Sequence, residues 1–205
     1  MPKDAIETRT FILKVSLQLF LKKGYKEVSY QDIINKTGLS KGAIYHYFKS
    51  KDDLLAHVFE FLLEATRQPE QENPENLVTN LSSFKKLFIG SKREQVKNFK
   101  KLLGTKTLKF NKFLFFLEAI AENERLKVII AEIMKLEIEF LKKCFLGLQK
   151  HGNLPKGKDP SLLAEGLFWM LQGTEMMIFF VSSIDQEEDF IKMYDKTISD
   201  FFRII

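Results

Sequence analysis

The segment Ser29–Lys51 reads SYQDIINKTGLSKGAIYHYFKSK and contains two short helical patterns of apolar residues. The residues 37–40, TGLS, separate the two patterns. This order predicts a helix, a sharp turn that contains glycine, and a second helix, which together form a DNA-binding motif. Gly38 can adopt the positive φ that a chain often needs on leaving a helix.

Serine residues precede both predicted helices. Ser29 can cap the first helix, with Asp32 in the place of the glutamate or glutamine of a capping box. Ser40 can cap the second helix, which we expect to run from Lys41 to Phe48. The apolar residues that can hold the two helices together are Ile33, Ile34, Leu39, Ile44 and Phe48.

The remaining side chains of the second helix are suited to a DNA groove. Small residues allow close approach to base edges, and lysine and phenolic hydroxyl groups bond to guanine or to phosphate oxygens. We expect Lys41, Gly42, Ala43 and His46 to face bases, although His46 could equally face phosphate or solvent. We expect the phosphate contacts to come from Ser29, Ser40, Tyr45, Tyr47 and Lys51.

A longer pattern surrounds this segment. It comprises Ile12-Leu13, Leu19-Phe20, Gly24-Tyr25, Asp32-Ile33, the run 38–42 (GLSKG), the run 45–48 (YHYF) and the run 50–54 (SKDDL). Over residues 6 to 60 the chain resembles the N-terminal domain of TetR/AcrR-type transcriptional regulators. It departs from that pattern at residues 35–37 (NKT), where an alanine-rich segment is common, and at Ala43, where many members have a hydroxyl group.

The resemblance implies an all-α fold with an N-terminal three-helix helix-turn-helix domain and a C-terminal helical domain for ligand binding and dimerisation. We set these domains at residues 1–51 and 52–205. The implied function is that of a ligand-responsive transcriptional regulator, a repressor that a small, largely apolar effector releases from a pseudo-palindromic operator. Its hinges would lie near residues 52–67 and 92–104. An activator of the same fold, or a helical adaptor without a DNA target, are the alternatives.

Charge is distributed in blocks along the chain. Residues 1–51 contain ten Lys or Arg and four Asp or Glu, whereas residues 52–84 contain one and seven. Residues 85–112 contain ten basic residues and one acidic residue, Glu94. The first basic block can supply the part of DNA affinity that depends on salt and not on sequence. The second could be a solvated surface, an additional attraction for DNA, or an entrance for an anionic ligand.

Several other classes of protein are not supported by the sequence. The N-terminus is polar and has no apolar run of membrane-spanning length, so we expect a cytoplasmic protein that does not enter a membrane. The single cysteine, Cys144, is expected to be buried, and the three histidines lie far apart, so no metal or cofactor is expected. No catalytic constellation is present, since Ser83 and Lys86 alone do not make a serine-lysine enzyme.

The rest of the chain has helical patterns almost throughout. A helix over about 3–23 should support the motif, and another should run from Asp52 to near Arg67. Further helices are expected at 77–89, 93–103, 105–121 and 124–150, the last ending at residues 151–153 (HGN) before a loop at 154–159.

The last two predicted helices, over 160–182 and 190–205, are apolar on more than one face and must be covered by other residues. The resemblance implies that they form a four-helix bundle with a second copy. We assign to this interface Leu167, Leu171, Met177, Ile191, Tyr194, Ile198, Phe201 and Phe202.

The chain is rich in phenylalanine, with 20 residues of this type. A cavity lined by aromatic and methionine side chains would suit a small hydrophobic or amphipathic effector. We assign to it Phe113, Phe116, Phe145, Trp169, Met170 and Met176. Aromatic residues at helical spacing also occur simply as core.

Overall fold

The computed structural model describes residues 3–66, 73–104, 119–121, 123–181 and 187–205. In these ranges the regular structure is entirely α-helical. The helices are α1 (Lys3–Lys23), α2 (Tyr30–Thr37), α3 (Lys41–Tyr47), α4 (Lys51–Thr66), α5 (Pro74–Leu77), α6 (Leu81–Leu103), α7 (Glu124–Lys150), α8 (Pro160–Val181) and α9 (Glu187–Ile204). The predicted all-α class is therefore confirmed, and no described helix is long and apolar enough to cross a membrane.

Two compact units make up the chain. The first contains residues 1–66 and 99–129, and the second contains residues 67–98 and 130–205. The helices α6 and α7 each contribute residues to both units. The functional boundary that we expected between residues 51 and 52 stays a prediction, and α4, which follows it, packs against α1 in the first unit.

The core of the first unit lies between α1 and the helices α2 and α4, which both pack against it. Ile12, Leu17 and Phe20 of α1 are fully buried, as are Ile33, Ile44 and Phe48 of the helix-turn-helix segment. Residues from later in the chain also join this unit. The amide of Gln18 donates to the carbonyl of Leu103 at 2.9 Å, and the amide of Asn123 donates to the carbonyl of Asp52 at 3.1 Å.

The core of the second unit is aromatic. Phe84 of α6 contacts Phe145 of α7 and Phe202 of α9, with ring centroids 5.6 and 5.2 Å apart. Cys144 is buried in the same cluster, as predicted. Close packing is clearest where α5 meets α7: a Cβ atom at Gly147 would lie 2.6 Å from the carbonyl oxygen of Val78.

The ends of most helices agree with the sequence patterns. The helix α7 spans Glu124–Lys150, and Gly152 follows it with a positive φ of 75°. The expectation of separate helices at 77–89 and 93–103 was wrong, because Leu81–Leu103 is one continuous helix. Gly90 does not interrupt it, since one glycine inside a helix costs only about 1 kcal/mol, and Phe84, Phe88 and Phe99 bury large side chains along the helix. The predicted helix at 105–121 lies, except for residues 119–121, outside the described residues.

Candidate nucleic-acid interface

The turn between α2 and α3 is fixed by local hydrogen bonds. Ser29 and Asp32 form the predicted capping box, in which the hydroxyl of Ser29 accepts from the backbone of Asp32 and the carboxylate of Asp32 accepts from the backbone of Ser29. Gly38 ends α2 with a φ of 71°, and its N–H donates to the carbonyl of Ile34 at 2.8 Å. Ser40 caps α3 by accepting from the N–H of Ala43. These contacts set the angle between the helices before any DNA binds.

An ion pair adds to the cap of α2. The ammonium of Lys23, in the last turn of α1, lies 2.5 Å from the carboxylate of Asp32. The hydrogen bonds from Lys23 and Ser29 hold the pKa of Asp32 well below its usual range. The carboxylate therefore stays ionised and attached to both helices at ordinary pH.

The two faces of α3 differ as predicted for a reading helix. Ile44 and the following Phe48 are fully buried, whereas Lys41, Gly42, Tyr45 and His46 are exposed. Ala43 and Tyr47 are half-buried. An added Cβ at Gly42 would meet no atom within 4 Å, so the backbone of α3 is open on this side.

The residues assigned to phosphate contacts lie around this helix. Ser29 and Ser40 are exposed, but their hydroxyl groups already cap α2 and α3. The ammonium of Lys51 lies 4.3 Å from the centroid of the Tyr25 ring and donates to the carbonyl of Lys26 at 3.3 Å. Its positive charge is thus held at the beginning of α4.

The exposed tyrosine of α3 has two neighbours that the sequence reasoning did not identify as a group. The ring of Tyr30, the first residue of α2, stacks on the ring of Tyr45 with centroids 4.8 Å apart. The ammonium of Lys41 lies 5.6 Å from the centroid of the Tyr45 ring. The sequence contains both tyrosines, but no local spacing rule links the start of one helix to the face of the next.

The residues assigned to the effector cavity are not brought together in the described part of the chain. Phe145 lies in the core of the second unit, whereas Trp169, Met170 and Met176 are exposed on α8. Phe113 and Phe116 lie outside the described residues. The cavity therefore stays a prediction.

Most residues assigned to the dimer interface lie in the core of the second unit. Those that are buried there are Leu167, Leu171, Ile191, Tyr194, Ile198 and Phe201. Phe202 is half-buried and contacts Phe145 in the same core, whereas Met177 is exposed. Side chains of the same unit thus already cover one face of both helices.

A different face of α8 carries exposed apolar side chains at regular spacing. Leu162, Trp169 and Met176 recur every seven residues, and Met170 and Met177 form a parallel row. Beside them, Met170, Gly173 and Met177 of α8 and Met193 and Thr197 of α9 line a groove of about 400 Å³. The heptad spacing was visible in the sequence, and it would have distinguished this face from the core face.

Among the described residues of the second basic block, Lys85, Lys92, Arg93 and Lys97 form ion pairs. Lys85 lies 2.9 Å from Asp195, and Arg93 binds Glu188 through two hydrogen bonds of 2.6 and 3.1 Å. Lys97 pairs with Glu94 on the same helix. Acidic residues late in the chain therefore compensate part of this block within the second unit.

Lys92 is the most buried of these cations. Its ammonium lies 3.1 Å from Glu137 of α7 and 3.9 Å from Glu175 of α8, and it lies over the rings of Phe88 and Tyr194. Burial disfavours its charge, but the two carboxylates more than offset this effect and raise the pKa of Lys92. The two ion pairs connect α6 to α7 and α8, and the contact with the Tyr194 ring adds α9. The spacing of the charges along the sequence does not predict this arrangement.

Comparisons with known proteins agree with the geometry of the motif. The sequence profile described as bacterial regulatory proteins, tetR family, matches residues 12–58. The HTH-type transcriptional regulator AcrR of Shigella flexneri is 41% identical over 58 residues, which are 28% of this chain and 27% of AcrR. The HTH-type transcriptional repressor KstR2 of Mycolicibacterium smegmatis is 26% identical over 90 residues, which are 44% of each chain.

The likeness of fold extends further than the likeness of sequence. A transcriptional regulator from Saccharomonospora viridis, solved in complex with choline, matches with a TM-score of 0.69 at 15% identity, over 97% of this chain and 96% of that chain. By sequence, the chain spans less than half the length of the curated relatives compared, from 20% to 48%. Residues 12–58 therefore match the tetR family of bacterial regulatory proteins, and the fold of the chain is similar to that of solved TetR regulators.

Proposed function

We propose that the chain is a ligand-responsive DNA-binding transcriptional regulator, and that it acts as a repressor. The observation that carries the proposal is the exposed face of α3, which presents Lys41, Gly42, Tyr45 and His46 on a helix anchored by the buried Ile44. An exposed face with an open backbone and few apolar residues fits the major groove. Such a protein would act in the cytoplasm, where bacterial DNA lies.

The test of DNA binding uses a duplex selected by the full-length protein from a random library and from the DNA upstream of its own coding sequence. Fluorescence anisotropy at several salt concentrations then gives Kd and its salt dependence. We expect log K to fall linearly with log salt, because lysines release counterions from phosphates. An adaptor without a DNA target would select no duplex, and an activator would bind DNA but raise transcription from a reporter.

Two substitutions test separately whether Lys51 contacts a DNA phosphate and whether the backbone of α3 approaches the base edges. Lys51→Ala should weaken binding and reduce the salt slope by about 0.9, as expected for one lost phosphate contact. Gly42→Ala should leave the fold intact, because no atom lies within 4 Å of the added Cβ, but it should weaken binding if the backbone approaches base edges. Unchanged affinity of both variants would contradict the assigned surface.

We further propose that the protein binds DNA as a homodimer through the exposed face of α8 and α9. The heptad-spaced Leu162, Trp169 and Met176 can pack as knobs into a partner helix, and Gly173 lies in the groove beside them. A two-fold pair would place two α3 helices on half-sites about one DNA turn or slightly more apart. This face replaces most of the residues that the sequence pattern had assigned to the interface.

Analytical ultracentrifugation can test this dimer. Trp169→Glu should shift the protein toward monomer, because it would bury an unpaired carboxylate in the interface. Leu136→Glu is the matched control, since Leu136 is 66% exposed on α7 and lies outside the proposed face. A dimer that survives Trp169→Glu but not Leu136→Glu would place the interface elsewhere.

The effector is proposed to be a small hydrophobic or amphipathic molecule that binds in the second unit. The choline complex of the Saccharomonospora viridis regulator supports a small-molecule ligand for this fold. An effector can lower DNA affinity only if it binds the DNA-free conformation more tightly. Native mass spectrometry of the purified protein would detect a retained ligand, and adding that ligand should raise the Kd for DNA.

A further inference from the structure

The stacked pair of Tyr30 and Tyr45 connects the two helices of the motif on their outer side. The ring planes are inclined by only 19°, with centroids 4.8 Å apart, so the rings overlap face to face. Tyr45 remains 42% exposed, which leaves part of this side chain open to a partner. The stack therefore restrains an exposed side chain without covering it.

An unrestrained tyrosine on an exposed helix face would sample more than one rotamer. Binding would then have to fix one of them, and the loss of side-chain freedom would weaken the complex. In this protein the orientation of Tyr45 is set in advance, because its ring rests on Tyr30 and lies beside the Lys41 ammonium. A restrained phenol presents its hydroxyl group in a defined direction.

We propose that Tyr30 is a positioning residue for DNA binding, and that its ring holds Tyr45 in the rotamer that presents the Tyr45 hydroxyl to a DNA phosphate. This inference rests on the proposed function, since it assumes that α3 binds DNA. It adds a residue of α2 to a surface that had been assigned to α3 and the helix caps. Tyr30 acts through Tyr45 and does not itself touch DNA.

The environment of the Tyr30 hydroxyl supports an indirect role. This oxygen is buried and has no hydrogen-bond partner among the described residues. Burial, followed by the charges of Tyr45, Asp53 and Asp52, raises the pKa of Tyr30 to about 12, so the phenol stays neutral. Because the hydroxyl is buried, it cannot reach a phosphate, and the ring is the part of Tyr30 that remains to act.

The support beneath the stack is rigid. Tyr30 follows the capping residue Ser29, whose hydroxyl is bound to Asp32, and Asp32 is paired with Lys23 of α1. The first turn of α2 is therefore fixed by contacts that do not involve Tyr45. A rigid support is what a positioning residue needs.

A double-mutant cycle tests this role with the full-length protein and the duplex that it selects. Tyr30→Leu removes the flat ring and should raise Kd about threefold to tenfold, the range expected when one side chain must be ordered on binding. Tyr30→Phe keeps the ring and should restore Kd to within about twofold of the original value. In a Tyr45→Ala background, Tyr30→Leu should change Kd by less than about twofold, because the residue on which Tyr30 acts is already gone.

Three results would overturn the proposal. If Tyr30→Leu raises Kd equally in the unaltered and the Tyr45→Ala backgrounds, Tyr30 acts through the fold and not through Tyr45. If Tyr30→Phe raises Kd as much as Tyr30→Leu does, the hydroxyl group of Tyr30 is needed and not its ring. Circular dichroism monitors folding, and Tyr30→Met replaces Tyr30→Leu if the latter does not fold. In NMR spectra of tyrosine-labelled protein, Tyr30→Phe should preserve the ring-current shifts of Tyr45, and their absence in the unaltered protein would also refute the stack. If the unaltered protein selects no duplex, the proposed function fails instead.

Discussion

Gly147 offers a test of packing in the second unit, because the same substitution elsewhere in the chain should have the opposite effect. In Gly147→Ala the new Cβ would lie 2.6 Å from the carbonyl oxygen of Val78 and 2.7 Å from that of Glu75. Both neighbours are backbone atoms, so neither can rotate away as a flexible side chain could. In Gly90→Ala, inside α6, the new Cβ meets no atom within 4 Å.

The expected magnitudes follow from two opposing effects. Alanine is favoured over glycine inside a helix by about 1 kcal/mol, and this gain applies at both positions. At Gly147 the overlap with two backbone oxygens should cost about 3 kcal/mol, at the upper end of the usual range for overpacking. The net expectation is a loss of about 2 kcal/mol for Gly147→Ala and a gain of up to about 1 kcal/mol for Gly90→Ala.

Moving the segment that contains α5 away from α7 would not avoid this loss. The amide of Asn153 donates to the carbonyl of Thr79 at 2.9 Å, and the ammonium of Lys150 donates to Asn76 at 3.1 Å. Val78 is fully buried between these contacts. A displaced segment would lose these hydrogen bonds and expose the side chain of Val78. The free energy lost in this way would be similar to the cost of the overlap at Gly147.

Differential scanning calorimetry is the appropriate assay, because two compact units need not unfold in one step. For a chain of this length, 1 kcal/mol corresponds to a shift in Tm of about 2–4 °C. We therefore expect Tm to fall by about 4–8 °C in Gly147→Ala and to rise by up to about 4 °C in Gly90→Ala. A rise in Tm for Gly147→Ala, or equal shifts for the two variants, would refute the packing argument.

Three further predictions concern single side chains. The pKa of Asp32 is lower in the folded protein than in the unfolded chain, so the ionised carboxylate stabilises the fold above the unfolded pKa of about 4, and this stabilisation is lost as pH falls below it. Asp32→Asn should therefore make Tm fall less steeply with acid. Parallel curves of Tm against pH for the variant and the unaltered protein would contradict this. Burial raises the pKa of Cys144 to about 12. A thiol reagent at pH 8 should therefore label Cys144 only after denaturant is added. Rapid labelling of the folded protein would show that the Cys144 thiol is accessible to solvent. The buried Tyr194 hydroxyl has no hydrogen-bond partner in the described part of the chain. Tyr194→Phe should therefore leave the free energy of unfolding unchanged or raise it by about 1 kcal/mol. A loss of about 2 kcal/mol or more in urea titrations would mean that this hydroxyl does form a hydrogen bond.

The helix-turn-helix segment was predictable because local chemistry determines it. Ser29, Gly38 and Ser40 cap or end helices through bonds to residues at most four positions away, and such bonds are written into the spacing. The inward and outward faces of α3 followed for the same reason. Tyr30 was missed as a partner of Tyr45 because the stack depends on the angle between two helices, which spacing alone does not give.

In the last two helices, the sequence does not show which apolar face is covered by the same chain. Hydropathy indicates that α8 needs cover on more than one side, but it does not say which cover comes from the same chain. Leu167 and Leu171 are covered by the unit itself, whereas Trp169 and Met177 are not. The distinction depends on how α8 is rotated against α9, and this is decided by the packing of Phe168, Tyr194 and Phe201 in the core.

The two units alternate along the chain, and this order affects folding during synthesis on the ribosome. Residues 99–129 belong to the first unit, in which the carbonyl of Leu103 accepts from Gln18 and the amide of Asn123 donates to the carbonyl of Asp52. During synthesis from the N-terminus, the helix-turn-helix segment therefore emerges well before the residues that complete its unit. Residues 67–98, which belong to the second unit, emerge before residues 130–205 of the same unit have been synthesised. A nascent chain of this design can complete neither unit early, so truncated translation products should expose apolar surface to chaperones and proteases.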